Sequence, residues 1–199
     1  AWAVAPSRSL TGAAILANDT HLHLTSPSQW YEVQYDIPGL LVCGMSIPGV
    51  PGVVTGRNDS IAWGVTNLMA DDADFFIEEI NDSAKTYRRG DAWVPLQFIE
   101  EEIPVRNDTA VTIQVRLTSH GPIVTDIATS LNRTRPRFTA SMRWVGYEPD
   151  DQVGTFLRLN RARSWGEFTK ALSTFSVPGQ NFVYADVKGH IGYVCAARL

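Results

Sequence analysis

The sequence contains little cysteine and no long apolar run. Of its 199 residues only 2 are cysteine, and no apolar stretch approaches the ~18 residues that a membrane-spanning helix needs. Positive charge is not in excess either, because 17 lysine and arginine residues face 21 aspartate and glutamate residues, for a net charge of −4. That balance argues against a nucleic-acid-binding protein driven by net charge. Hydrophobic residues at 44% and charged residues at 19% exclude a disordered chain and indicate a globular one.

The common short catalytic motifs are missing as well. The sequence has no glycine-rich phosphate loop, no pair of zinc ligands and no G-x-S-x-G nucleophile elbow. Cys43 and Cys195 fit no metal or redox spacing. We interpret them as two buried thiols in strands rather than as a disulfide, and the sequence leaves both interpretations open.

Two polar clusters have the residue types that metal sites use. His21 and His23 would share one face of a strand, but a metal site would need a third ligand. Residues 71–74 (DDAD) place carboxylates around a backbone carbonyl, and hard cations prefer such oxygen ligands. Taken alone, the histidine pair is more typical of a polar turn and the acidic run of a solvated one.

The pattern of apolar residues predicts an α+β protein built around sheets. Strands broken by turns are predicted first, and residues 40–45 predict a strand that is covered on both faces. Residues 87–93 predict a hairpin, and the polar, basic residues 128–137 predict a flexible loop. Helices are predicted only late in the chain, after caps at Asp150 and Ser164. Many strands and two late helices indicate a layered sheet protein.

Four segments resemble the motifs of one protein family. They are residues 15–22 (ILANDTHL), residues 48–58 (PGVPGVVTGRN) continuing into 61–67 (IAWGVTN), residues 119–123 (SHGPI), and residues 178–193, which contain QNFVYAD. These segments resemble motifs of the penicillin acylase family, within the N-terminal-nucleophile hydrolases. Because the matches occur in order and span nearly the whole chain, the resemblance is far more specific than any single motif.

The resemblance implies a precursor that cuts itself into two chains. The larger chain then begins with a serine whose own α-amino group acts as the base, and an α-amino group has a suitable reference pKa of ~8. In this sequence Ala1 directly precedes Trp2, near which the family pattern places the serine. We therefore expect the nucleophile just upstream of Ala1. We expect this chain to be the first part of the catalytic β-chain and to be inactive by itself.

The resemblance also assigns an oxyanion hole to two asparagines. Asn67 matches the position whose backbone N–H helps to form the hole, and Asn181 matches the asparagine whose side-chain amide completes it. Two donors are needed because the tetrahedral intermediate places a full negative charge on the former carbonyl oxygen. His21 matches a position beside the nucleophile that is histidine in some branches and glutamine in others. Without the resemblance, Asn181 would be interpreted as a turn residue before a strand.

An acyl pocket and a calcium site are implied in the same way. Three positions match residues that line the acyl pocket: Leu22, Thr55 and Val65. Leucine and valine suit an aromatic or aliphatic acyl group. Three further positions match calcium ligands found in part of the family, whose other ligands come from elsewhere: Asp71, the carbonyl of Ala73, and Asp74.

These expectations combine into one hypothesis with alternatives. Residues 1–199 are expected to form a single partial domain of the αββα four-layer sandwich. The parent protein is expected to be an amidohydrolase that cleaves a linear amide of a small-molecule substrate through a serine acyl-enzyme. The alternatives are an acyl-homoserine-lactone or acyl-peptide acylase of the same family, and a non-catalytic binding fragment that has lost its nucleophile.

The resemblance extends to partners and location. The expected partners are a companion α-chain and the remainder of the β-chain, with no nucleic acid and no membrane. A structural calcium ion is the only cofactor expected, and no organic one. Because the family is commonly periplasmic or secreted, the same location is expected for the parent protein.

Overall fold

The computed structural model describes residues 1–130, 138–148 and 150–198. Its strands are β1 (Trp2–Val4), β2 (Ile15–Ala17), β3 (Tyr31–Ile37), β4 (Leu40–Ser46), β5 (Thr55–Asn58), β6 (Ile61–Asn67), β7 (Ala73–Glu78), β8 (Ile80–Asn81), β9 (Thr86–Arg89), β10 (Ala92–Pro95), β11 (Gln97–Ile103), β12 (Val111–Thr118), β13 (Gly121–Pro122), β14 (Thr139–Trp144), β15 (Gln180–Asp186) and β16 (Ile191–Ala196). The helices are α1 (Thr125–Ser130), α2 (Gln152–Leu159) and α3 (Trp165–Leu172). The chain is therefore mostly β-sheet with few helices. Within the described residues, no helix has both the length and the apolar character to cross a membrane.

The chain separates into two compact units. Unit 1 contains Ala1–Asp72 and Glu148–Leu199, and unit 2 contains Ala73–Tyr147. Most of the residues that the family resemblance singled out lie in unit 1. The prediction that residues 1–199 form a single partial domain stays a prediction.

Unit 1 is built on a six-stranded antiparallel sheet in the order β16-β15-β6-β5-β4-β3. Strand alternation sends Trp63 and Val65 of β6, and Phe182 and Tyr184 of β15, to the same face, where all four are buried. Helices α2 and α3 cover this face, and Phe168 of α3 packs edge-on against Phe182 with ring centroids 6.4 Å apart. The core of unit 1 therefore lies between this face and the two helices.

The opposite face of the sheet carries a two-stranded ribbon. Strands β1 and β2 pair antiparallel and contact β6 and β15. The approach is close at Gly64, where an added Cβ would lie 2.9 Å from the side chain of Asn18. A glycine is needed there because any side chain would push the ribbon away from the sheet.

Three predictions about individual elements need correction. Strand β4 is covered on one face only, since Val42 is buried while Leu41, on the other face, is 44% exposed. The ribbon on that other face contacts chiefly β6, β15 and β16. Cys43 and Cys195 are both free thiols in strands, as predicted, but neither is buried, since Cys43 is half-buried and Cys195, on the edge strand β16, is exposed. The cap of α2 is Asp151 rather than its predicted neighbour, since its carboxylate accepts a hydrogen bond from the N–H three residues later.

Other local predictions hold. Ser164 caps α3 by accepting a hydrogen bond from the N–H of Glu167 at 3.3 Å. The predicted hairpin at residues 87–93 is β9 paired with β10 around a turn at Gly90. The loop predicted for residues 128–137 is replaced at its start by the end of α1, and residues 131–137 lie outside the described residues.

A loop rich in proline and glycine, residues 47–54, is held in place by the side chain of Asn160. This asparagine follows α2 directly, and its Nδ2 donates to the carbonyl of Val53 while its Oδ1 accepts from the N–H of Val53, both at 2.7 Å. Gly52 has φ of +89°, and a Cβ there would lie 2.7 Å from Asn160 Oδ1. The side chain of Asn58 then donates to the carbonyl of Asn160 at 3.1 Å. A buried amide thus satisfies the backbone of Val53, next to the N–H of Val54, which donates to the carbonyl of Met45 on β4 at 3.0 Å.

We predict that Asn160→Ala destabilises the protein by about 2–5 kcal/mol, because it leaves the buried N–H and carbonyl of Val53 without partners at about 1–3 kcal/mol each. Urea denaturation followed by tryptophan fluorescence measures the loss. Gln34→Ala, which removes an exposed amide on β3, is the control and should change stability by less than about 0.5 kcal/mol. Equal stability of the two variants would contradict the assignment.

Unit 2 contains three small antiparallel sheets. They have the orders β10-β9-β8, β11-β12-β13 and β14-β7. Its core is small, with Tyr87, Leu96 and Ile123 as the buried members. A polar group, the carboxylate of Glu78, is also buried in this unit.

Three side chains donate hydrogen bonds to Glu78. Its Oε1 accepts from Ser141 Oγ at 2.5 Å, from Thr118 Oγ1 at 2.8 Å and lies 3.0 Å from His120 Nδ1. Burial by itself raises the pKa of the Glu78 carboxyl, but the hydrogen bonds outweigh burial and hold that pKa below its usual value. The ring of His120 stacks on Phe76 with centroids 4.0 Å apart, which fixes its position. Glu78 therefore ties β7 to β12 and β14 as a charged acceptor.

We predict that Glu78→Gln lowers stability at pH 7 by about 1–3 kcal/mol, because hydrogen bonds to a charged acceptor are stronger than those to a neutral one. The pKa of Glu78 is lower in the folded than in the unfolded protein, so its contribution is present above the unfolded pKa of ~4.3 and is lost as the pH falls through the folded pKa. Denaturation midpoints at pH 7 and pH ~3 should show the gap to wild type closing. The exposed Glu100→Gln is the control, and a gap that stays constant with pH would contradict the prediction.

Candidate active site

Two asparagines meet where β6 ends and β15 begins. The antiparallel register pairs Asn67 with Gln180 and Asn181 with Thr66, so the two asparagines lie diagonally across the strand pair. The side-chain Nδ2 of Asn181 donates to the backbone carbonyl of Asn67 at 3.1 Å. An amide nitrogen carries two hydrogens, so one N–H of Asn181 remains after this bond is made.

The register also leaves the backbone N–H of Asn67 directed away from β15. Leu68 donates to the carbonyl of Gly179 at 2.9 Å, so these two residues form a hydrogen-bonded pair of the antiparallel ladder. The next pair, Asn67 with Gln180, is then a non-hydrogen-bonded pair, in which each backbone N–H points away from the partner strand. On its other side β6 pairs with β5 only at Trp63 and Ala62. The N–H of Asn67 therefore points past the end of β5. Two N–H donors, one from the backbone and one from a side chain, are available at this end of the sheet.

An apolar cavity of about 410 Å³ opens beside Asn67. Asn181 does not line it, because strand alternation places its side chain on the face of the sheet opposite Val65. Leu22, Val65 and Asn67 line it, so three of the residues singled out by the sequence come together on one surface. Its far wall is formed by side chains of α2 and of the segment after α3, including Phe156 and Phe175, whose rings meet edge to face 6.0 Å apart. We call this the acyl cavity. A volume of this size suits a small ligand group.

Two polar side chains lie in the wall of the acyl cavity. Gln152 donates from Nε2 to Ser176 Oγ at 2.8 Å and to the carbonyl of Val177 at 2.9 Å, which fixes the direction of its amide. Its Oε1, like the indole nitrogen of Trp30, is buried without a hydrogen-bond partner among the described residues. Sequence reasoning missed both residues, as well as the aromatic pair, because their only local signals were a helix start and apolar periodicity.

The structure separates His21 and Thr55 from the acyl cavity. His21 has a positive φ of 51° and an exposed side chain, with Nδ1 3.3 Å from Asp19 Oδ2, although its neighbours Thr20 and Leu22 do line the cavity. Thr55 is buried, donates to the carbonyl of Trp63 at 3.1 Å, and lines an adjoining cavity of about 480 Å³ instead. The two cavities share Leu22 in their walls.

The residues of the expected calcium site are divided between the two units. Asp71 lies in unit 1, in the loop before β7, whereas Ala73 and Asp74 begin β7 in unit 2. Within the described residues, no group of three or more histidine, cysteine, aspartate and glutamate side chains is arranged to hold a metal ion. Two carboxylates and one carbonyl also fall short of the six to eight oxygens that calcium takes. These residues alone do not make a calcium site.

The sequence of the chain is similar to those of known acylases. Over 205 residues the chain is 31% identical to an acyl-homoserine lactone acylase, QuiP, of Pseudomonas aeruginosa. The matched region covers 99% of this chain and 24% of that relative. It is 30% identical over 194 residues to penicillin G acylase of Escherichia coli, covering 97% of this chain and 22% of the relative. The chain thus spans about a quarter of the length of these curated relatives.

A solved structure agrees with these matches. The thermostable penicillin G acylase of Alcaligenes faecalis superposes on the chain with a TM-score of 0.81 at 29% identity, covering all of this chain and 35% of that one. The family model described as penicillin amidase matches residues 1–199, the whole sequence. The resemblance drawn from the four motifs is confirmed, and the chain belongs to the penicillin amidase family.

Proposed function

We propose that the parent protein is an amidohydrolase that cleaves a linear amide through a serine acyl-enzyme. The observation that carries the proposal is the acyl cavity with Asn67 in its wall. Asn181, whose Nδ2 donates to the carbonyl of Asn67 at 3.1 Å, is the second donor of the proposal, although it lies outside the lining of the cavity. In acyl transfer such donors stabilise the negative charge that develops on the carbonyl oxygen. The apolar cavity would hold the acyl chain while the carbonyl lies at the donors.

The nucleophile in this proposal is a serine carried by the segment that precedes Ala1 in the parent protein. Trp2 of β1 pairs with Ala17 of β2, and the chain continues from Ala17 to Leu22 at the acyl cavity. The start of β1 therefore faces the cavity end of the sheet, which supports placing the serine there. This chain by itself would then lack the nucleophile and be inactive.

The reaction follows from this arrangement. The serine Oγ attacks the amide carbon and its proton passes to the α-amino group, whose reference pKa of ~8 allows the neutral form. The tetrahedral intermediate places its oxyanion at the donors, and the amine leaves with the proton. Water then attacks the ester and its proton passes to the same amino group, which returns it to the serine Oγ as the ester bond breaks and the free acid departs. His21 in this proposal assists beside the serine, although in the structure its side chain is exposed and contacts Asp19.

The substrate class follows from the apolar lining. Leu22 and Val65 favour an aromatic or aliphatic acyl group, whereas the donors contact only the carbonyl and place no demand on the amine. Acyl-homoserine lactones and acylated β-lactams both present such a linear amide. The names of the relatives, a lactone acylase and a penicillin G acylase, support this pair of candidates.

The remaining features are proposed from the family. The parent fold would be the αββα four-layer sandwich, to which unit 1 contributes its helices, its sheet and its ribbon. A companion α-chain and the remainder of the β-chain would complete it, in the periplasm or outside the cell. A structural calcium ion would need ligands beyond Asp71, Ala73 and Asp74, from outside this chain, and no step of the reaction involves it.

In the processed parent enzyme, Asn181→Ala is expected to lower kcat by about 10²–10³-fold with little change in KM, because it removes a donor whose bond strengthens as charge develops. Asn67→Ala is the matched control, since its backbone N–H stays in place and kcat should remain within about tenfold. Steady-state kinetics and melting curves of both variants measure this. A near-normal kcat for Asn181→Ala, or a loss of stability alone, would show that the assignment is wrong.

The acyl cavity makes a separate prediction. Leu22 is 50% exposed at the cavity, so Leu22→Ala should cost little stability but remove apolar contact worth about 1–2 kcal/mol with a bound acyl group. We expect kcat/KM for a phenylacetyl amide to fall by about 5–30-fold. Leu24→Ala, at a fully exposed leucine that does not line the acyl cavity, is the control. Similar kinetics for the two variants would rule out Leu22 as a pocket residue.

A further inference from the structure

The acyl cavity and the adjoining cavity of about 480 Å³ share one wall of side chains. Three residues line both cavities: Thr20, Leu22 and Trp30. All three belong to the irregular segment that connects β2 to β3. A single segment of the chain therefore decides where the acyl cavity ends and the adjoining cavity begins.

Trp30 is the largest of these three side chains, and the fold anchors it. It directly precedes β3, whose first residue, Tyr31, pairs with Ser46 of β4, and its ring packs against the core of unit 1. Leu22, by contrast, is 50% exposed. The position of the indole is therefore set by the sheet and the core, whereas Leu22 lies on the open part of the segment.

The indole of Trp30 is held in this wall by packing. A buried indole N–H usually finds a hydrogen-bond partner. The nitrogen of Trp30 is buried and has no such partner among the described residues. A smaller apolar side chain at this position would therefore open the wall between the cavities without breaking a side-chain hydrogen bond.

We propose that Trp30 limits the length of the acyl chain that the parent enzyme accepts. The inference rests on the proposed function and adds a specificity-determining residue to it. An acyl group whose carbonyl lies at Asn67 contacts apolar walls that include Val50 and Phe156, and each methylene buried there adds binding. At Trp30 this apolar surface ends, so further methylenes of a linear chain gain no contact. The preferred substrates are then amides of arylacetic acids and of short linear acids, and long-chain acyl amides are poor substrates.

The test uses the full-length, processed parent protein and linear acyl amides of one amine, from butanoyl to dodecanoyl. For the wild type, kcat/KM should rise by about fourfold per methylene while the chain stays within the acyl cavity, and then level off or fall. In Trp30→Leu the chain can continue along Met45 of the adjoining cavity, so the rise should extend to longer chains. The ratio of kcat/KM for dodecanoyl to that for butanoyl should increase by about tenfold or more over wild type. Trp30→Phe, which keeps a smaller ring, should have an intermediate optimum.

Trp93→Leu, at a half-exposed tryptophan of β10 that lines neither of the two cavities, is the matched control and should keep the wild-type optimum. Melting curves and activity on a phenylacetyl amide show that each variant is folded, since this acyl group should fit with or without the indole.

Three results would overturn the inference. The wild-type kcat/KM could still rise at dodecanoyl, or Trp30→Leu and Trp30→Phe could both keep the wild-type optimum. The difference from wild type could also follow a change of the amine rather than of the acyl chain, which would assign the adjoining cavity to the leaving group. A wild-type parent that hydrolyses no acyl amide would overturn the proposed function itself, and this outcome is visible before any variant is made.

Discussion

The two hydrogen bonds between the side chain of Asn160 and the backbone of Val53 are the constraint on which the candidate site depends. The loop over residues 47–54 forms one wall of the acyl cavity and lies between β4 and β5, where the N–H of Val54 donates to the carbonyl of Met45. The amide of Asn160 accepts from the N–H of Val53 and donates to its carbonyl, as a residue of a neighbouring strand would. The residue that follows α2 therefore satisfies the loop backbone at this point. Gly52 is required beneath it, since a Cβ would collide with the amide oxygen.

The sheet of unit 1 uses its two faces for different tasks. One face buries Trp63, Phe182 and Tyr184 against the helices, which supplies most of the apolar burial in the unit. The other face carries Asn181 and Tyr193, which are polar and remain accessible. Since the side-chain period of a strand is two, a slip of one residue between β6 and β15 would exchange these faces. The large aromatic residues of the core therefore also fix the register that places the donors.

The two proposed donors, the backbone N–H of Asn67 and the side-chain amide of Asn181, are held in place in different ways. The N–H of Asn67 is part of the backbone and is kept in every substitution except proline, whereas the amide of Asn181 depends on its rotamer and on its neighbours. Its hydrogen bonds to Asn67 and Tyr193 hold that rotamer before any substrate arrives. Preorganised dipoles of this kind stabilise a developing charge without having to reorient during the reaction. In the mechanism that we propose, the acyl cavity would contribute binding and the donors would contribute rate.

The sequence by itself determined the local elements and the family. Alternation, turn residues and helix caps predicted the hairpin at residues 87–93 and the start of α3 at Ser164, because these signals act over a few residues. Motif order pointed to Asn67 and Asn181, which lie 114 positions apart and come into contact only through the pairing of β6 with β15. Only the tertiary structure decided what surrounds them: the exposure of Cys195, the phenol of Tyr193, and the wall of the acyl cavity. Those contacts join distant segments across register and helix packing, and no local pattern in the sequence encodes them.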